Sequence, residues 1–270
     1  MQKKSKLIII IALVAVIIIA AVIIIPGLSK NDSDKSNGTE NSFVNNSNSN
    51  NVAPSQNDTG YSFFENSDTY TQNINIGDTY IFGTYEQDGD TSNGQEPLEW
   101  IVLDKKGSGI LVISKYVLDN KLYHDEYMGV TWETCSLRAW LNDTFINTAF
   151  SEKEIISIPT VTITPDEINP NYKAKKGNAT ADKIFLLSVT EASTYFASDE
   201  LRKCAPTEYA EDMGVFKDSY DKCSKWWLRT PGEYQTRSAL VWNDGHISYQ
   251  GEVADNDRGV RPSMWIDLAS

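Results

Sequence analysis

Ser238-Ala239-Leu240-Val241-Trp242, then Asn243-Asp244-Gly245, then His246-Ile247-Ser248-Tyr249 is the stretch on which the reading of the fold turns. Two β-rich runs flank an Asp-Gly dipeptide, the strongest short-range hairpin signal in the chain, because Gly takes the positive φ that a tight turn demands. The pattern predicts strands over 238–242 and 247–249 joined by a type I′ turn. Outward from it, 226–229 and 259–268 read as further strands. Far upstream, 80–84, 100–103 and 110–114 are three short β-rich runs separated by Gly and Asp turns, an antiparallel meander.

Between these strand-rich thirds the period changes. Leu137, Trp140 and Leu141 recur at helical spacing, Ser151-Glu154 and Ser188-Glu191 match capping boxes, and 206–213 reads as a helix with Pro at its start and Gly214 past its end. Residues 183–187 read as a buried strand. Residues 160–180, with Pro165, Pro170 and three lysines, read as an exposed loop. Strands, then two or three short helices, then strands predict an α+β domain over 74–270.

The sequence before this domain is of another kind. Residues 7–25, LIIIIALVAVIIIAAVIII, hold 19 apolar residues without a polar interruption. As a helix they would be about 28 Å long, close to the bilayer's hydrocarbon thickness. Lys3, Lys4 and Lys6 precede them, so the positive-inside rule predicts a cytoplasmic tail over 1–6, a single-pass signal anchor in the lipid bilayer over 7–25, and the rest outside the cell. Residues 29–73 contain 11 Asn and 9 Ser among 45 residues. That composition cannot bury enough apolar surface to offset chain entropy and predicts a disordered spacer, in which Tyr61, Phe63 and Phe64 are the residues suited to pack on the domain that follows. From residue 74 onward 19 basic residues face 31 acidic ones, within a whole-chain net charge of −13. No basic face is available to neutralise phosphates, so nucleic acid is not an expected partner.

Four ordered motifs carry a resemblance. Trp132-Glu133-Thr134-Cys135-Ser136-Leu137-Arg138-Ala139-Trp140-Leu141-Asn142, Trp226-Trp227-Leu228-Arg229-Thr230-Pro231-Gly232 and Gly259-Val260-Arg261-Pro262-Ser263-Met264-Trp265-Ile266, with Glu99-Trp100 before them, resemble an uncharacterised Gram-positive bacterial surface domain of unknown function. Thr230 stands where Ser is usual and Ser263 where Ala is usual. That family is itself similar to the C-type-lectin-like fold of formylglycine-generating sulfatase-modifying proteins. The resemblance implies a C-type-lectin-like fold and a surface location, and no activity, since fold does not supply function. Formylglycine-generating enzymes use a cysteine pair near the end of the fold; residues 237–268 hold none, so that activity is not expected.

The residues for chemistry are few. His124 and His246 have no ligand-spaced partner, and Cys135, Cys204 and Cys223 form no close pair, so no metal site is expected of them; a Cys204–Cys223 disulfide and three reduced thiols both fit. Asp88 to Asn93 with Glu99 approximates the ligand spacing of a Ca²⁺-binding loop, although an ordinary hairpin turn fits better. Trp242-Asn243-Asp244 reproduces a tripeptide by which sugar-binding C-type lectins hold Ca²⁺, without the EPN or QPD that accompanies it there. Ca²⁺ is thus the one cofactor to consider, and no cofactor is the expectation. Arg229, Arg258 and Arg261 suit either an anion site or ion pairs with acids such as Asp255, Asp257 or Asp267.

Tyr234, Trp242 and Tyr249 lie in or beside turns of the last third, where rings offer flat apolar faces with a polar edge. With Asn243, Asp244, Asp255 and Asp257 they form the expected ligand-binding set, for a glycan or protein ligand read by the loops between 230 and 257, with no catalytic residue. The alternative is an extracellular hydrolase or modifying enzyme using a carboxylate pair among Asp244, Glu252, Asp255 and Asp257.

Overall fold

A computed structural model describes residue 64, residues 70–166, residue 172 and residues 174–270. The expected tail, anchor and most of the spacer lie outside the described residues. Among those described, no helix is long and apolar enough to cross a membrane.

The order of elements is β1 (Thr79–Tyr85), β2 (Glu96–Lys106), β3 (Gly109–Ser114), β4 (Asp119–Leu122), α1 (Ser136–Trp140), α2 (Ile146–Ala149), α3 (Glu152–Ile156), β5 (Val161–Ile163), β6 (Thr180–Asp182) and β7 (Ile184–Phe185). Then come α4 (Val189–Tyr195), α5 (Asp199–Arg202), α6 (Glu208–Asp212), β8 (Trp226–Pro231), β9 (Arg237–Val241), β10 (Ile247–Val253), β11 (Asp257–Val260) and β12 (Ser263–Asp267). The fold is α+β with mostly antiparallel pairing, as the succession of periods predicts. One sheet runs β1-β2-β3-β12-β7, a second runs β10-β9-β8-β11-β4, and β5 and β6 form a separate pair. The sole parallel contact among the described strands joins β11 to β8 at Gly259 and Trp226.

The meander of the first three strands is present, with Tyr80 opposite Trp100 and Ile101 opposite Ile113. Both capping boxes form: Ser151 and Ser188 each accept the amide of the Glu three residues on, whose carboxylate returns to the cap's own amide. Trp226, Trp227 and Trp265 are core residues, buried with Trp100 and Met264. The packed body also reaches upstream of Ile74. Phe64 lies against Trp265 with ring centroids 5.1 Å apart, and Lys105 Nζ donates to the carbonyls of Thr71 and Ile74.

Four details differ from the sequence reading. The expected strand over 259–268 is two strands, because Pro262 has no N–H for a ladder; β11 belongs to the second sheet and β12 to the first, with Arg261 and Pro262 crossing between them. The expected loop over 160–180 has ends that pair as β5 and β6. Among the described residues six α-helical segments stand where two or three were expected, most only four or five residues long and too short to show a period. The helix expected from Pro206 starts two places later, at Glu208, capped by the Thr207 hydroxyl, with Gly214 in the expected positive-φ position after it.

Candidate functional site

The tip of the β9–β10 hairpin sets the position of the site. Trp242 N donates to the His246 carbonyl and Gly245 N to the Trp242 carbonyl. Gly245 is at φ +89° while Asn243 and Asp244 keep negative φ, so the connection is a three-residue loop with its glycine in the left-handed region, not the expected type I′ turn, which needs two positive φ values. The tip is clamped to α5. Arg202 Nε donates to the Gly245 carbonyl at 2.8 Å, and a Cβ at position 245 would fall 1.8 Å from the Asp199 carbonyl oxygen. Only glycine fits there, and the close approach fixes Trp242 and Asn243.

Beneath this tip lies a cavity of about 370 Å³ lined by Phe216, Lys225, Trp242, Asn243, Asp257 and Arg258, with Gly214 and Gly259. Lys225 comes from the residue before β8, and its carbonyl accepts from Gly259 N, which ties it to β11. Its ammonium stands 3.4 Å from the centroid of the Trp242 ring, while the His246 ring stacks on Trp242 with centroids 5.6 Å apart. The Trp242 ring is therefore engaged by both side chains, where the sequence suggested an open face. Glu252 faces two cations, Lys225 at 3.5 Å and Arg258 at 3.2 Å. Burial, and then the neighbouring Arg258, hold the Lys225 ammonium below the usual lysine range in spite of Glu252. Phe216, 58% exposed, forms an apolar rim.

A second cavity of about 450 Å³ shares Asp257 and is otherwise lined by residues including Asn120, Lys121, Asp125 and Trp140. It repeats the chemistry of the first, with Lys121 Nζ 4.9 Å from the Trp140 centroid and 3.3 Å from Asp119. Between the two, Asn120 Nδ2 donates to Asp257 at 2.7 Å and to the Met213 carbonyl at 2.9 Å.

Of the expected ligand-binding residues, Trp242, Asn243 and Asp257 meet in the first cavity. Asp244 stands at the hairpin tip, 2.7 Å from His246 Nδ1. Although partial desolvation opposes it, hydrogen bonds from the His246 amide and ring hold the Asp244 carboxyl below the usual range. Tyr234 is displaced to the β8–β9 turn, at the other end of β9 from Trp242 and roughly 17 Å away at the usual strand rise. Tyr249 lies within β10, half-buried against the core, and Asp255 in the β10–β11 turn; neither lines the cavity. Phe216, Lys225, Lys121 and Trp140 are additions. Phe216 follows Val215 between Gly214 and Lys217, an apolar pair just past a helix-ending glycine that carries no sequence signal of a site.

The other candidates resolve differently. Glu99 makes an ion pair with Lys115 at 2.6 Å on β2, away from the β1–β2 turn, so the Asp88-to-Glu99 spacing does not assemble one ligand set. All three cysteines are free thiols, with Cys135 and Cys204 buried; burial pushes the Cys135 thiol up to about 12. Arg229 and Arg258 are held by carboxylates, as expected, but by Glu191 and Glu252. Arg261, 1% exposed, has no carboxylate partner among the described residues; its Nε donates to the Ser114 carbonyl and its plane lies about 5 Å from the rings of Phe196 and Trp226.

The motifs that carry the resemblance are framework. Buried Asp182 accepts from Trp132 Nε1 at 2.9 Å, Arg138 Nε at 2.6 Å and Thr180 Oγ1 at 2.6 Å. Asn142, in a π turn (Leu141–Phe145) between α1 and α2, accepts the amides of Lys183 and Ile184 and donates to the Ile184 carbonyl, taking the place of a strand neighbour. Compared with known proteins, residues 107–268 match the model of a domain of unknown function, DUF6273. No curated protein matches, and no solved structure matches.

Proposed function

We propose, from the premise that this chain belongs to the DUF6273 family over residues 107–268, that the domain is a non-catalytic binding module for a glycan, taken up in the cavity beneath the β9–β10 tip. The observation that carries this reading is the convergence of Trp242, Asn243 and Asp257 with Lys225, Arg258 and Phe216 around one cavity of about 370 Å³, a size suited to a small ligand. Two cations and two carboxylates, Glu252 and Asp257, balance the charge in and around the cavity, which favours a neutral, hydroxyl-rich ligand over a polyanion. Sugar hydroxyls both donate and accept, so they can use Asn243, Asp257 and Arg258 together, while the exposed Phe216 ring covers an apolar sugar face. Glu252 is engaged by two cations, which suits it to fixing Lys225 and Arg258 more than to passing protons.

We place this module outside the cell, with the apolar run 7–25 as its anchor and Lys3, Lys4 and Lys6 on the cytoplasmic side, and we read the α+β fold as C-type-lectin-like on the strength of the four motifs. The test is a glycan array on the purified full chain, followed by calorimetric titration of any hit. Phe216→Ser should weaken binding about tenfold or more without lowering the melting temperature, as expected of an exposed anchor. A blank array, or a hit that Phe216→Ser leaves unaltered, overturns the reading.

A further inference from the structure

We propose that Glu86, Asp88 and Glu96 form a binding site for a hard divalent cation, Ca²⁺, at the neck of the β1–β2 loop. Tyr85 and Glu96 are register partners where β1 ends and β2 begins, so Glu86 and Glu96 meet across the neck. Asp88 is held in place by the loop itself, accepting from Asp90 N at 2.8 Å and Asn93 Nδ2 at 2.9 Å. One oxygen from each of the three carboxylates lies within 4.8 Å of the others. Glu86 supplies the independent observation. It is only 8% exposed, and its Oε1 is buried yet accepts no hydrogen bond. A carboxyl oxygen that has lost water and gained no donor is suited to a cation.

The donor set selects the ion. Three carboxylates and no imidazole or thiolate favour a hard metal over zinc or copper. Ca²⁺ takes oxygen ligands at about 2.3–2.6 Å in irregular geometry, which suits carboxylates gathered by a loop, whereas Mg²⁺ demands near-octahedral ligands at about 2.0–2.1 Å and dehydrates reluctantly. A cavity of about 270 Å³, lined by Glu86, Thr91, Gly94 and Gln95 among others, opens beside Glu86. The surroundings are acidic as well: Asp88 shares a further cavity with Glu208, Glu211 and Asp212, where Lys217 is the only cationic lining residue. This site is not the Asp88-to-Glu99 set suggested by spacing, and it precedes the residues that match the family model.

Calorimetric titration of the chelator-stripped full chain with CaCl₂ alone, and separately with MgCl₂ alone, tests it. One Ca²⁺ should bind per chain in the range of about 10⁻⁴–10⁻³ M usual for extracellular modules, and Mg²⁺ at least about tenfold more weakly. Glu86→Gln and Glu96→Gln should each weaken Ca²⁺ at least about tenfold, and the exposed-helix control Glu152→Gln should leave it unchanged. Circular dichroism verifies folding; if Glu86→Gln fails to fold, the more exposed Glu96→Gln decides. No heat up to about 10 mM Ca²⁺, equal affinity for Mg²⁺, or loss of binding in Asp244→Asn with retention in Glu96→Gln would each overturn the proposal.

Discussion

Two carboxylates of this domain are each surrounded by donors and cations, and they serve different ends. Asp182 has a fully buried side chain that satisfies Trp132, Arg138 and Thr180 in one place. Glu252, 22% exposed, receives Lys225 and Arg258 at the margin of a cavity. The first arrangement welds α1 to β6; the second holds two cations where a ligand could reach them. The contrast teaches that the residues by which this chain resembles others are mostly those that hold it together, whereas Phe216, Lys225, Trp242 and Asn243 lie outside the quoted motifs.

Asp182→Ala tests the contrast at its strongest. It leaves a buried indole N–H and a buried hydroxyl without their acceptor and the part-exposed Arg138 without its carboxylate, and should cost about 3–5 kcal/mol in urea unfolding. Lys225→Met removes a cation from the cavity margin but leaves Arg258 to hold Glu252. It should cost less than about 1 kcal/mol in the same measurement. If the two losses were equal, framework and site would not be separable, and the cavity would have to be regarded as structural.

The smallest expected effect lies at the hairpin tip. Because the folded-state pKa of Asp244 is depressed, its charged form stabilises the fold above the ordinary value of 3.8, and that contribution fades as pH falls through the lower folded value. Its side chain is 61% exposed. After solvent screening the effect should be below about 0.5 kcal/mol. Asp244→Asn should therefore melt slightly below the unaltered chain at pH 7 and together with it near pH 2, as followed by calorimetric melting; a gap that persists at the acid end would assign the loss to the turn's geometry instead of its charge.

Much of the fold was legible because its signals are local. Capping boxes at Ser151 and Ser188, the Asp-Gly tip and the β-rich runs each state their structure within a few residues. What escaped depends on distant partners. Asn142 gives no hint that it stands in for a strand beside β7, and β4 is a polar tetrapeptide defined by its pairing with β11. The site was half legible. Trp242, Asn243 and Asp257 were found because turns concentrate polar and aromatic side chains, but Tyr234 and Tyr249 were grouped with them on nearness in sequence, and a strand's length separates the two ends of a hairpin. Lys225 went unmarked since a lysine gains meaning only from the ring beneath it.

The crossing at Arg261 and Pro262 also bears on how the chain reaches its native state. Through it β12 takes a central place in the first sheet, with Ile266 opposite Ile110 and Ser263 opposite Phe185. The β1–β3 meander can form early from neighbours in sequence, but its next strand arrives from more than 140 residues away. Such distant pairing carries a large loop-closure entropy before any contact repays it. Contact order thus predicts that β12 docks late, leaving the edge of β3, all six residues of which are buried in the finished fold, as the edge on which premature association with another chain is expected.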